Sequence, residues 1–136
     1  ANVDTYGLLY NWYAVNDSRN IAPAGWHVPT AGEWRILVDC LDGDSAAGGK
    51  MKEAGTTHWN SPNTGATNES CFTGLPGGYR GSHGPFEYMG SSVCFWSSTD
   101  YSSSNAWGRR LYYNYAYVLG YGSLKDSGWS VRCVRN

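Results

Sequence analysis

Pro29-Thr30-Ala31-Gly32-Glu33-Trp34-Arg35-Ile36-Leu37-Val38-Asp39-Cys40-Leu41 is the stretch on which a reading of the fold turns. Thr30 and Glu33 stand three apart, the spacing of a capping box. In that motif a hydroxyl takes an orphan amide at the helix start and a carboxylate reaches back to the cap. Trp34, Leu37, Val38 and Leu41 then recur at helical spacing and turn one apolar stripe toward a core. Arg35 and Asp39, four apart, fall on the wet side, and Gly43 is placed to stop the helix. One well-defined helix is therefore predicted early in the chain.

Outward from this helix the signals change character. Upstream, Tyr6–Val15 (YGLLYNWYAV) mixes aromatic and aliphatic residues before the turn-like Asn16-Asp17-Ser18, and predicts a strand or strand pair. Ile21–Pro29 holds Pro23, Gly25 and Pro29 and predicts a loop anchored by a buried Trp26. Downstream, Gly48-Gly49 leads into KMKEAG, a second short helix closed by Gly55. From Thr56 to Gly90 the chain is rich in Gly, Pro, Ser, Thr and Asn, far longer than an ordinary connection. Trp59, Phe72, Leu75, Tyr79 and Phe86 punctuate it, so it reads as ordered irregular loop, with a tight turn at Leu75–Arg80. The last third predicts β-structure: a buried strand at Val93–Ser98, a hairpin from Trp107–Asn114 and Tyr115–Tyr121, and an alternating strand at Trp129–Arg135.

Composition sets the outer bounds. A chain of 136 residues is one domain's worth. No apolar run reaches membrane-spanning length, and no signal peptide is visible. A formal net charge of −1 without Lys/Arg clusters argues against nucleic acid and against a basic membrane-surface face. Leu, Ile, Val and Phe are scarce, but 7 Trp and 11 Tyr supply the missing apolar area. The expectation is a loop-rich domain with a tryptophan core and a neutral polar surface. Cys40, Cys71, Cys94 and Cys133 are too widely spaced for a zinc knuckle or a redox pair; two disulfides and buried free thiols are equally open.

Catalytic and metal signals are thin. His27, His58 and His83 form no helical metal pair. Gly90-Ser91 lacks the rest of a nucleophile elbow, and no phosphate or dinucleotide fingerprint occurs. His27 reads as a satisfied structural residue and Cys94 as a structural thiol rather than a nucleophile. Asp39, Asp42 and Asp44 read as a solvated helix end, not a calcium loop. The long loops leave room for a structural calcium on main-chain carbonyls. No catalytic residue, metal ligand or cofactor is assigned.

The informative segment is Asp100–Ser123. Tyr101, Tyr112, Tyr113, Tyr115, Tyr117 and Tyr121 fall here among Ser, Asn and Gly. This is the composition of antibody paratopes: Tyr gives large amphipathic contact with few rotors, while Ser, Gly and Asn adapt their hydrogen bonds. Tyrosines occupy both parities of residues 112–117, so some must be exposed. Arg109 and Arg110 are potential anchors.

Several of these stretches together resemble the Fibrobacter succinogenes major paralogous domain. They are Tyr6–Val15, Gly25–Thr30 through Glu33-Trp34, Gly48-Gly49-Lys50, Leu75–Arg80, Trp96-Ser97-Ser98 and Ser130–Arg135, in order over nearly the whole chain. The resemblance implies an α+β, C-type-lectin-like fold near the formylglycine-generating enzymes, with early helices, a small twisted antiparallel sheet and long ordered loops. It implies a bacterial surface or secreted setting, often a lipoprotein, and part of a longer surface protein. It also implies kinship with the variable proteins of diversity-generating retroelements, which end in a hypervariable segment, here about residues 100–126. On that reading Trp107, Leu111, Val118, Lys125 and Gly128–Arg135 are scaffold. Gly108, Arg110, Tyr112, Asn114, Tyr115, Ala116, Tyr117, Leu119, Gly120, Tyr121 and Gly122 are variable positions, and Tyr101 and Asn105 join them on the ligand-binding face. The expected partner is a protein or glycan on another cell or a phage receptor.

Two departures from wider relatives matter. The oxidases of that branch need a close cysteine pair, and no two cysteines here lie within twenty residues. Calcium-dependent lectins need an acidic Trp-Asn-Asp triplet, whereas this chain has Trp59-Asn60-Ser61. The expectation is a non-catalytic recognition domain; the alternative is a lectin in which Trp59 or Trp107 stacks on a sugar.

Overall fold

A computed structural model describes residues 2–136. The chain begins with two short helices, α1 (Asn2–Tyr6) and α2 (Trp12–Val15), then a two-residue strand β1 (Trp26–His27). Helices α3 (Ala31–Cys40) and α4 (Asp44–Met51) follow, and a long irregular region leads to the short pair β2 (Tyr79–Arg80) and β3 (Phe86–Glu87). The main sheet is β4 (Ser92–Asp100), β5 (Asn105–Tyr112) and β6 (Val118–Leu124), antiparallel in that order. A final strand β7 (Val134–Arg135) pairs back onto β1. The class is α+β.

Helix α3 forms as its sequence dictates. Thr30 caps it, Glu33 closes the capping box, and Trp34 and Val38 are buried. The stop differs in one detail: Asp42 takes the left-handed position (φ 68°), and Gly43 follows it, donating its amide to Val38 O at 2.9 Å. That pairing satisfies a carbonyl the helix end leaves open.

The three-stranded sheet carries core on both faces, because its strands alternate side chains between two sides. Val93, Phe95, Leu111 and Val118 pack with Trp34, Val38, Ala47, Met51 and Trp59 on the helix side. Cys94, Trp96 and Ala106 pack with Trp12, Val15, Val28 and Trp129 on the other. Five of the seven tryptophans are buried, and Trp96 stacks on Trp129 at 4.2 Å. Four of those five donate the indole N–H to a main-chain carbonyl: Trp12 to Ser97, Trp34 to Trp96, Trp59 to Gly74 and Trp96 to Tyr10. Buried indoles need such a partner; two of these bonds tie Trp12 and Trp34 to β4, and the other two fix the main chain at Gly74 and Tyr10.

Several expectations are corrected. Residues 6–15 hold the end of α1 and all of α2, not a strand pair; Tyr10 alone makes a bridge, to Trp129. The reason is nonlocal: the Trp12 indole reaches Ser97 and its amide reaches Lys125 O, which favours a turn of helix there. The second helix starts at Asp44 and ends at Met51, so Gly48 and Gly49 lie inside it rather than before it, and Lys52–Gly55 lie beyond it. Residues 129–133 form no regular strand: Trp129 and Ser130 make isolated bridges and regular pairing is confined to β7, though Trp129, Val131 and Cys133 do share the core side. Trp26 is 42 % exposed, and Phe86 is 72 % exposed, so neither is an anchor. The four cysteines are free; Cys94 is buried but Cys40 and Cys71 are exposed, so the alternative of uniformly buried thiols fails as well.

Candidate functional site

The hairpin β5–β6 and its connection, residues 113–117, carry most of the predicted site. Register pairs Arg110 with Cys94 and Leu119, and Tyr112 with Ser92. Alternation therefore places Gly108, Arg110, Tyr112, Leu119 and Tyr121 on the Trp129 side of the sheet. Asn105, Gly120 and Gly122 fall on the other. The eight predicted residues on these two strands are thus divided between two faces.

Arg110 is the centre of the first group. Its guanidinium lies over the rings of Tyr112 (4.2 Å), Tyr79 (4.8 Å) and Tyr88 (5.2 Å). Nε donates to Ser92 Oγ at 2.8 Å, and the Tyr121 hydroxyl lies near the guanidinium. Tyr79, in β2, and Tyr88, just after β3, stack on each other at 5.4 Å. A delocalised cation against electron-rich faces is attracted to each, more so when desolvated. Burial raises the hydroxyl pKa of Tyr79, Tyr112 and Tyr121, so these phenols stay protonated donors at neutral pH.

Beside this cluster Tyr115 stacks on Tyr117 at 4.5 Å and meets Tyr112 edge-on at 6.0 Å. Tyr115 is 42 % exposed and Leu119 is exposed. The loop that carries these rings is held by its backbone. Gly49 N–H donates to Ala116 O, Thr64 N–H to Tyr113 O, and Tyr113 N–H to Ser91 O. Lys52 Nζ donates to the carbonyls of Tyr112 and Tyr115. Gly48 explains the closeness: a Cβ there would overlap the Tyr117 carbonyl. Ala116 packs against Gly65 and is half-buried.

Other predicted residues do not present themselves. Gly108 is buried, and a side chain there would overlap the Trp129 ring. Tyr121 packs into the Trp12–Trp129 core. Arg109, the second expected anchor, is buried against Gly120, its Nε without a partner and its pKa lowered by burial. Tyr101, exposed, stands edge-on to Trp107 over Gly122 on the other face, apart from the Arg110 cluster. Trp59 is 1 % exposed and cannot stack on a sugar, which removes that half of the lectin alternative.

Sequence reading did not single out Tyr88 and treated Tyr79 only as an anchor. Their pairing with Arg110 depends on a register between distant strands, which no local pattern announces. Tyr88 also borders a cavity of about 490 Å³ lined by Tyr6, Leu8, Phe86 and Met89.

The remaining chemical candidates are occupied structurally. His27 bridges Asn136 Oδ1 (2.6 Å) and Glu33 (2.7 Å), as a satisfied structural histidine should. His58 pairs with Glu53. Asp39 and Asp44 are bound by Arg35, and Asp42 by Lys50. Cys94 is sealed in the core, and burial pushes its thiol up to about 12. Among the described residues no group of three or more His, Cys, Asp or Glu is placed to hold a metal ion. Among them too, no helix is long and apolar enough to cross a membrane.

Neither curated proteins nor solved structures give a significant match to the chain. The family model of the Fibrobacter succinogenes major domain does, over residues 1–135. With essentially its whole length matched, the chain belongs to the Fibrobacter succinogenes major domain family.

Proposed function

We propose that this chain is a non-catalytic ligand-recognition domain on a C-type-lectin-like scaffold, acting at a bacterial cell or phage surface. Its grip would be the tyrosine surface around Arg110: Tyr79, Tyr88, Tyr112, Tyr115 and Tyr117, with Leu119 at the edge. The observation that carries this reading is how the 113–117 loop is secured. Its main chain makes the bonds that dock it, which leaves the Tyr115 and Tyr117 rings free to meet something else. A rigid ledge of aromatic side chains binds without a large ordering cost.

The same arrangement favours the variable-protein reading for a subset of positions. Tyr115, Tyr117 and Leu119 can change without disturbing what holds the loop. Gly108 and Tyr121 are core, so their variation would disturb the scaffold. Comparison of sister genes at one locus, together with a nearby template repeat, tests this: substitutions concentrated at 115, 117 and 119 support it, and substitutions concentrated at 108 and 121 refute it.

The binding test pans a displayed protein library and a glycan array, with and without chelator, against the immobilised chain. Ligands recovered should lose about a hundredfold or more in affinity to the Tyr115→Ala/Tyr117→Ala variant, as removal of central aromatic anchors does. Ligands insensitive to both changes would place the contact elsewhere and refute the assignment. A chelator-insensitive protein ligand fits the proposal best; a glycan requiring calcium would favour the lectin reading instead.

A further inference from the structure

Lys52 follows directly on α4, and its side chain is fully buried. Nζ donates to three main-chain carbonyls: Thr64 O at 2.9 Å, Tyr112 O at 2.8 Å and Tyr115 O at 2.9 Å. The Trp59 ring lies 5.4 Å away. Among the described residues no carboxylate pairs with it. An ammonium has three donors, and here all three are used on carbonyls from three separate points of the chain. A lone buried charge is costly; this one is retained where converging carbonyl oxygens form a cradle suited to a small cation.

We infer that Lys52 is the positioning residue of the binding face: its ammonium does from within the fold what a bound cation would do, gathering three carbonyls so that Tyr112, Tyr115 and Tyr117 are held in one arrangement. The inference rests on reading that face as the binding surface, but its test needs no ligand, so the two can fail separately. Tyr112 ends β5 and Tyr115 lies mid-loop, so one nitrogen fixes the span between them. Thr64 ties that span to the 60s loop, where Asn63 Nδ2 holds the carbonyls of Glu53 and Gly55. The chain from Lys52 to Asn63 thus closes on itself beneath the tyrosines.

The experiment is chemical rescue, read by amide hydrogen exchange on the full chain. Lys52→Ala removes a propylammonium's worth of atoms. Exchange of the Gly49, Thr64 and Tyr113 amides, which join the loop to its neighbours, should accelerate about tenfold or more relative to β4 amides. Nuclear Overhauser contacts between the Tyr115 and Tyr117 rings should weaken in parallel. Added n-propylammonium chloride should restore both, while 1-propanol in sodium chloride of equal strength should not. Rescue by propanol as good as by propylammonium, or unchanged loop protection in Lys52→Ala, would overturn the inference. So would a loss spread evenly over β4. Should Lys52→Ala not fold, the native chain decides: through-hydrogen-bond couplings from 15N-labelled Nζ should reach the carbonyl carbons of Thr64, Tyr112 and Tyr115, and their absence refutes the cradle.

Discussion

Replacing Arg110 by Met keeps most of the volume and removes the charge that three tyrosines surround. The loss has two parts. The charge-assisted bond to Ser92 Oγ disappears, worth about 1.5–3 kcal/mol when made. The contact with the Tyr112 ring, the nearest at 4.2 Å, adds about 1–2 kcal/mol in a desolvated site. Against this, Met no longer pays to desolvate a guanidinium, a cost of several kcal/mol for a buried ion. Ser92 is itself fully buried, and its hydroxyl would be left without this partner. The terms leave a net loss of about 2–3 kcal/mol. For 136 residues the unfolding entropy makes each kcal/mol worth about 3.5 °C, so Tm should fall by about 7–10 °C. Circular dichroism melts of Arg110→Met, Tyr112→Leu and the double variant form a cycle, whose coupling should be about 1–2 kcal/mol. An Arg110→Met protein that melts at or above the native temperature, with no coupling to Tyr112, would show that the guanidinium does not organise this cluster.

Other outcomes follow from the same geometry. Gly48→Ala should destabilise by about 1–3 kcal/mol in denaturant unfolding although Ala is the better helix former, because its Cβ meets the rigid Tyr117 carbonyl. A stabilised variant would show that the 113–117 loop is not docked there. Of the four thiols, Cys40 and Cys71 should react quickly with an aromatic disulfide reagent, Cys133 more slowly, and Cys94 only on unfolding; the thiolate is the reactive form and burial suppresses it at Cys94. The His27–Glu33 clasp should be pH-dependent. Asn136 and Glu33 raise the His27 pKa above its usual 6.5, so its contribution is complete below that value and lost as pH rises through the folded value. The Thr30 amide and His27 lower Glu33 below its usual 4.5, so its contribution is present above 4.5 and lost as pH falls. Protection of the Asn136 amide, bonded to Gly25 O, should therefore be greatest between about pH 4.5 and 6.5. A flat profile across that range would refute the clasp.

Legibility in the sequence tracked how local each cause was. Helix α3 could be read because its cap, its stripe and its stop all lie within fourteen consecutive positions, Thr30 to Gly43. The main sheet could be read because Val93–Ser98 is apolar enough to be buried on both faces and the next two segments form a hairpin. Residues 6–15 could not, because the Trp12 indole donates to Ser97 O and Tyr10 O accepts from the Trp96 indole, partners more than eighty residues away. Gly48-Gly49 looked like a break for the same reason: only the approach of the 116–117 and Gly65 backbones makes glycine useful there. At the site, the tyrosine-rich segment was visible as composition, but which rings face out was not. Parity assigns a face only once the register is known, and it splits the predicted strand residues in two. Lys52, in a polar KMKEAG run, gave no sign of burial.

The order of control in this site runs from backbone to side chain. A loop whose shape depended on its own side chains would lose that shape whenever one changed. Here the shape of residues 113–117 is set by carbonyls and amides bonded to Lys52, Gly49, Thr64 and Ser91, and by two glycines that let main chains touch. None of those contacts uses the Tyr115 or Tyr117 ring. Exchanging those rings therefore costs the fold their mutual stacking and the edge contact of Tyr115 with Tyr112, about 0.5–1.5 kcal/mol each, while it alters what a ligand would meet on the proposed face. Arg110 and Tyr112 sit at the opposite extreme: they are woven into Ser92, Tyr79, Tyr88 and Tyr121, so changing them alters the frame as well as the proposed binding face. The proposed recognition surface thus has a fixed inner row and an exchangeable outer row. The boundary between them falls between Tyr112 and Tyr115, where the Lys52 ammonium joins the two carbonyls.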